Sequence, residues 1–271
     1  MFRDELFGRA ARLVPVLKER AARVEQLRQI PRETIDDLVA SGLIRIGNPD
    51  RYGGHGVDVD AAHEVGCELA RGCGSTGWCY SLWTVHNWWL GHFPERAQEE
   101  FFAGGPDTLF SSGLNPAGGK AEPVSGGFRV SGRWGFSSGC DAASWLMVAV
   151  PGPHPNDLIW LLLPRADYQI LDTWFASGMR GSGSKDVVVK DAFVPAHRAM
   201  DPNRAGDGDS TGWELHRRLS YRVPLRCLTG WDLGGLGAAS VAARRSVGRG
   251  RCGARPPSLR RPRDAGKGGA R

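Results

Sequence analysis

The hydrophobic period of the chain changes at the glycine pair Gly104 and Gly105, and this restricts it to an architecture of helices first and strands after. Before the pair, apolar residues recur at steps of three and four. Leu6, Leu13, Leu17, Ala21, Val24 and Leu27 define an amphipathic helix that Pro15 is expected to kink or divide. Pro31 suits the start of a short second helix ended by Gly42, and Asp58 or Asp60 suits the cap of a third. Ser75 reads as the cap of a fourth, whose Trp78, Leu82, Val85 and Trp89 share one face with His86 at its border. Pro94 opens the last helix. From Thr108 the period is two: TLFSSG, GFRVSGRWGFSS, SWLMVAV, LIWLLL and KDVVVKDAFV are separated by turn residues, the spacing of a compact barrel or sandwich. The expected class is therefore α+β.

The most informative strand runs from Phe128 to Ser138. Strict alternation places Phe128, Val130, Trp134, Phe136 and Ser138 on one face, and Arg129, Ser131, Arg133 and Ser137 on the other. A flat, electron-accepting ring would fit there, with Trp134 stacked on it and the hydroxyls and amides of Ser137, Ser138 and Gly139 on its polar edge. An ordinary aromatic core strand satisfies the same pattern. His86 likewise reads either as a histidine bonded within a helix interface or as one reaching a cavity. The GSGS within Met179 to Ser184 lacks the Lys-Ser or Lys-Thr ending of a phosphate loop, so a tight turn between strands is expected.

Bulk properties exclude several classes. No apolar run approaches the roughly 20 residues of a membrane span, and the charged first thirty residues lack the apolar centre of a secretory signal, so a cytoplasmic protein is expected. The six cysteines show neither zinc spacing nor a C-x-x-C pair, which favours reduced, packed thiols and no metal. Residues 244 to 271 contain nine Arg and one Lys against Asp264, a charge of +9 in a chain of net +6, so the body carries −3. That tail has no aromatic to stack on bases, which disfavours nucleic-acid binding. It also has no apolar period with which to bury a core.

Trp134, Phe136, Ser138 and Gly139 form a Trp-x-Phe-x-Ser-Gly pattern. Together with NPDRYGG at Asn48 to Gly54, VHNWW at Val85 to Trp89 and GMRGSGSKDVVVKDAFVPAHR at Gly178 to Arg198, it resembles the acyl-CoA dehydrogenase superfamily. Within it, the stretch is most similar to the two-component, flavin-dependent aromatic monooxygenases. The similarity covers roughly residues 5 to 240. It implies a helical domain over residues 1 to 105, a flavin-contacting β-barrel over 106 to 205, and the start of a C-terminal helical bundle over 206 to 245. It implies a reduced flavin, FMN or FAD, delivered by a partner reductase, and hydroxylation of a small phenolic substrate through a flavin C4a-hydroperoxide. His86 would polarise or deprotonate the phenol, Ser138 would bond flavin N5, and Ser112 would face the ring. Ser111 competes with Ser112, because a one-residue slip exchanges faces. Trp134, Phe136, Ser137, Ser138 and Gly139 would hold the cofactor, and the bundle would build a homotetramer. A true acyl-CoA dehydrogenase, a nucleic-acid-binding protein and an inactive fragment are the alternatives. The Arg-Gly-Ala-Pro mixture of residues 246 to 271 is the composition of a GC-rich gene read out of frame, so a frameshift near Val241 to Gly248 is expected.

Overall fold

The computed structural model describes residues 2–57, 59–205, 210–222 and 225. The expectations for the 246 to 271 tail, for a frameshift and for most of the 206 to 245 segment lie outside these residues. Five helices come first: α1 (Phe2–Leu27), α2 (Arg32–Ala40), α3 (Val59–Ala70), α4 (Gly74–Leu90) and α5 (Glu95–Phe102). Among the described residues eight strands follow, and then α6 (Thr211–His216). Among the described residues no helix is long and apolar enough to cross a membrane.

Two expectations about the helices need correction. Pro15 does not divide α1, which runs unbroken. Pro15 is exposed, so the carbonyl that loses its helical partner remains in reach of water. The larger correction concerns α4, which is buried around nearly its whole circumference. Cys79, Tyr80 and Trp83 have no exposed surface, Trp88 and Trp89 almost none, while Trp78 and Leu82, expected in the core, are only half-buried. A helix apolar on every side belongs at the centre of a domain. Here α1, α3, the Leu43–Gly47 turn, β1 and the Arg180–Ser182 turn surround it. Ser75 is not its cap. Cys73 occupies that position, and the Ser75 hydroxyl donates instead to Glu25 Oε1 of α1 at 2.7 Å.

The strands form two four-stranded sheets, β1-β4-β5-β8 and β2-β3-β7-β6. The first contains β1 (Phe110–Gly113), β4 (Trp145–Pro151), β5 (Leu158–Pro164) and β8 (Ala199–Met200); the second contains β2 (Gly119–Val124), β3 (Gly127–Ser137), β7 (Lys185–Pro195) and β6 (Tyr168–Leu171). Among the described residues only β1 and β4 pair in parallel. Strands β4 and β5 are apolar on both faces because both are covered. Leu146, Val148, Leu161 and Leu163 pack with Val130, Trp134 and Val187, whereas Met147, Ala149 and Leu162 pack with Val85, Trp89 and Phe101 of the helices.

The alternation expected for β3 fails at its end. Its pairing with β7 shifts register between Trp134 and Ser137, and Phe136 adopts a left-handed φ of 62°. Such a bulge inserts one residue and re-aims its neighbours. Phe136 is therefore 78% exposed instead of sharing the face of Trp134. Trp134 is fully buried, and its Nε1 donates to the Ala149 carbonyl at 3.0 Å. Its side chain lies so close to Gly113, Gly118, Gly119 and Gly132 that a Cβ at any of them would come within 2.7 Å of it. Trp134 is thus a core residue with no face free for a ligand.

Two predictions follow from this packing. Trp134→Ala should lower unfolding free energy by about 3 to 5 kcal/mol in urea titration, while Phe136→Ala should change it by less than about 0.5 kcal/mol. Equal losses would contradict the shifted register. The second prediction concerns pH. Burial lowers the pKa of His86 to about 4, of His92 to about 3 and of His216 to about 4. Unfolding returns each to an ordinary imidazole, so the unfolded chain binds more protons below about pH 6.5. Stability should be complete above that pH and fall progressively toward pH 4, read as a declining urea midpoint between pH 7.5 and 5; a flat midpoint would contradict it.

Candidate active site

The parallel pairing of β1 with β4 decides between the two serines of the LFSSG strand. Ser111 stands opposite Leu146, which faces the core between the sheets, whereas Ser112 stands opposite Met147, which faces the helices. The Ser112 hydroxyl accordingly lies 3.1 Å from His86 Nε2, and His86 Nδ1 lies 3.0 Å from the Phe110 carbonyl. A carbonyl only accepts, so Nδ1 carries the proton and Nε2 accepts from Ser112. The ring is fixed by Phe110 and Trp89, with centroids at 5.0 and 5.1 Å. His86 is 1% exposed while Ser112 is half-buried. The expectation that the histidine itself meets a ligand is corrected by its burial: Ser112 is the outer member of the pair, and His86 lies behind it.

The second cluster lies where β3 ends, eight residues or about 12 Å back along α4 from His86. Ser138 Oγ accepts from Trp78 Nε1 at 3.0 Å and lies 2.6 Å from Ser184 Oγ. Ser184 Oγ is 2.8 Å from Ser182 Oγ, which donates to the Met179 carbonyl at 2.8 Å. The turn carrying these serines is pinned by α1. Glu25 accepts from the amides of Arg180 and Gly181 at 3.0 and 3.1 Å, besides Ser75. The expectation of a tight turn at GSGS therefore agrees with its geometry. Two of its amides do bind an anion, but the anion is the chain's own carboxylate.

Three residues expected at a cofactor surface are buried here. Trp134 is core. Ser137, displaced inward by the bulge, is fully buried with an unpartnered hydroxyl, and Gly139, at φ 68°, gives its amide to the Ser182 carbonyl at 2.8 Å. Phe136 is the exposed aromatic, with Trp174 edge-on at 5.9 Å and Phe175 72% exposed nearby under the Arg28 guanidinium. Sequence reasoning missed Trp174, Ser182, Ser184 and Glu25. The alternating serines of GSGS carried a signal, since residues two apart in extended chain share a side; Trp174 and Glu25 carried none. Among the described residues no cluster of His, Cys, Asp and Glu is arranged to hold a metal ion.

Residues 4–102 match the family defined as the N-terminal domain of acyl-CoA dehydrogenase. The chain is 39% identical over 215 residues to the oxygenase subunit HsaA of a flavin-dependent monooxygenase from Rhodococcus jostii, covering 78% of this chain and 56% of that protein. It is 35% identical to the oxygenase component of an FADH2-dependent resorcinol hydroxylase from Rhizobium, covering 83% of this chain and 56% of that one. The crystal structure of the HsaA monooxygenase from M. tuberculosis superposes with a TM-score of 0.84 at 35% identity, over 91% of this chain and 69% of that one. The chain spans about half the length of the curated relatives it matches. With the helical N-terminal region, the paired sheets and these similarities together, the chain belongs to the acyl-CoA dehydrogenase superfamily, in its branch of flavin-dependent monooxygenase oxygenase subunits.

Proposed function

We propose that the chain carries the helical and strand portions of an oxygenase that hydroxylates a small phenolic substrate with reduced flavin, supplied by a separate reductase. The observation that carries this reading is the line from Ser112 through His86 to the Phe110 carbonyl, set in an aromatic wall. A bound reduced flavin supplies activation of O₂ and transfer of one oxygen atom to an electron-rich ring. The residues present fit that group. Phe136 and Trp174 offer an exposed aromatic surface, and Ser138 keeps one hydroxyl lone pair beyond those used by its neighbours. The same reading places the protein in the cytoplasm as a homo-oligomer, as the resemblance implies, and FADH2 in the name of one relative favours FAD over FMN.

The role of the Ser112–His86 pair follows from magnitudes. A phenol titrates near pH 10, whereas burial holds His86 at about 4. His86 is therefore a weak base toward a phenol, and complete transfer of the phenolic proton to it is uphill. The pair does not deprotonate the substrate in its resting state; the phenol donates to Ser112, Ser112 donates to His86, and the aligned bonds orient and polarise the ring oxygen.

The test of the proposal is ¹⁸O₂ incorporation into resorcinol, offered as a phenolic probe with reduced flavin; absence of label in the product would overturn it. Since Ser112 and His86 act in series, Ser112→Ala and His86→Ala should each lower labelled product about 10²-fold with flavin affinity unchanged, and the double variant should be no worse than either. Multiplied losses would show that the two act independently. Phe136→Ala should raise the flavin Kd about threefold to tenfold without loss of stability, as expected for one lost ring contact; an unchanged Kd would remove Phe136 from the site.

A further inference from the structure

The hydroxyl chain at the end of β3 has a fixed direction. Trp78 Nε1 only donates, the Met179 carbonyl only accepts, and three serine hydroxyls with one proton each connect them. Ser182 gives its proton to Met179, so Ser184 must give its proton to Ser182, and Ser138 must give its proton to Ser184. Ser138 is then left with a single unused lone pair and no proton to offer.

We propose that this chain makes Ser138 an acceptor toward flavin and so selects the dihydro form over the oxidised form. The inference rests on the reading above that Ser138 lies against flavin N5. In dihydroflavin N5 bears a hydrogen and donates; in oxidised flavin N5 is a lone pair, and it would confront the lone pair of Ser138. Reversal of the chain is blocked at the Met179 end. The turn bearing Ser182 is held by Glu25 through the amides of Arg180 and Gly181, and the Ser182 carbonyl is held by the amide of Gly139. Ser182 and Ser184 are therefore specificity-determining residues that act through Ser138. They set which redox state of the cofactor is retained.

The experiment compares equilibrium affinities of the whole chain for oxidised FMN and FAD, by fluorescence, with those for the dithionite-reduced forms under anaerobic conditions. The parent should bind the dihydro forms about fivefold or more tightly, the worth of one neutral hydrogen bond. Ser184→Ala frees the Ser138 proton, so the oxidised forms should gain affinity and the preference should shrink about fivefold. Ser184→Thr, which keeps a hydroxyl, should restore it. Ser182→Ala provides a second route, because Ser184 then turns its proton toward Ser138 and the same loss of preference results. A preference that survives both alanine changes, or a parent that binds both redox forms equally, would overturn the inference while leaving the flavin reading intact. A parent with no affinity for flavin in either form would overturn both.

Discussion

A helix with aromatic and apolar residues around nearly its whole circumference must be covered on nearly every side, and α4 imposes that condition on everything near it. Tyr80 and Trp83 are fully buried, and their surroundings come from both halves of the chain: α1 and α3 on one side, β1 and the Arg180–Ser182 turn on the other. Close packing then demands small residues at the contacts. A Cβ on Gly47 would lie 1.8 Å from the Thr84 carbonyl oxygen, and one on Gly139 would lie 2.6 Å from Trp83 Nε1. Both residues that anchor the site, Trp78 and His86, ride on this helix, so their separation is as rigid as the helix itself.

Much of this was legible in the amino-acid order. The single change of period at Gly104 and Gly105 located the passage from helices to strands, and four short motifs in order pointed to the superfamily. Ser112 and His86 were both named before their contact was visible. What alternation could not convey was the bulge at Phe136, because the inserted residue is not glycine and nothing local announces its left-handed backbone. The face assignments of Phe136 and Ser137 were inverted as a result. The α4 face was misjudged for a related reason: when all sides are apolar, periodicity no longer distinguishes inside from outside. Glu25 was invisible because its partners lie 155 and 156 residues away.

The two clusters also show how a protein fixes the sense of a hydrogen bond without any charge. In one, the Phe110 carbonyl determines the histidine tautomer and hence the direction of the Ser112 proton. In the other, the Met179 carbonyl determines the direction of three hydroxyls. Backbone carbonyls serve well here because they have only one role and are held by their own strands and turns. Side-chain partners such as Asn, Ser or Tyr could rotate and restore the ambiguity.

The Glu25 contact has a kinetic consequence. A turn fixed from 155 residues away cannot settle as the strands pair; it must wait until the first helix has docked, across a loop of more than half the chain's 271 residues. Contacts of such separation close late and slow the final step of folding. The sheets would then assemble first as a scaffold with an unset rim, and the serine row would acquire its direction only when α1 arrives. Helix α1 thus completes the last part of the site to be ordered.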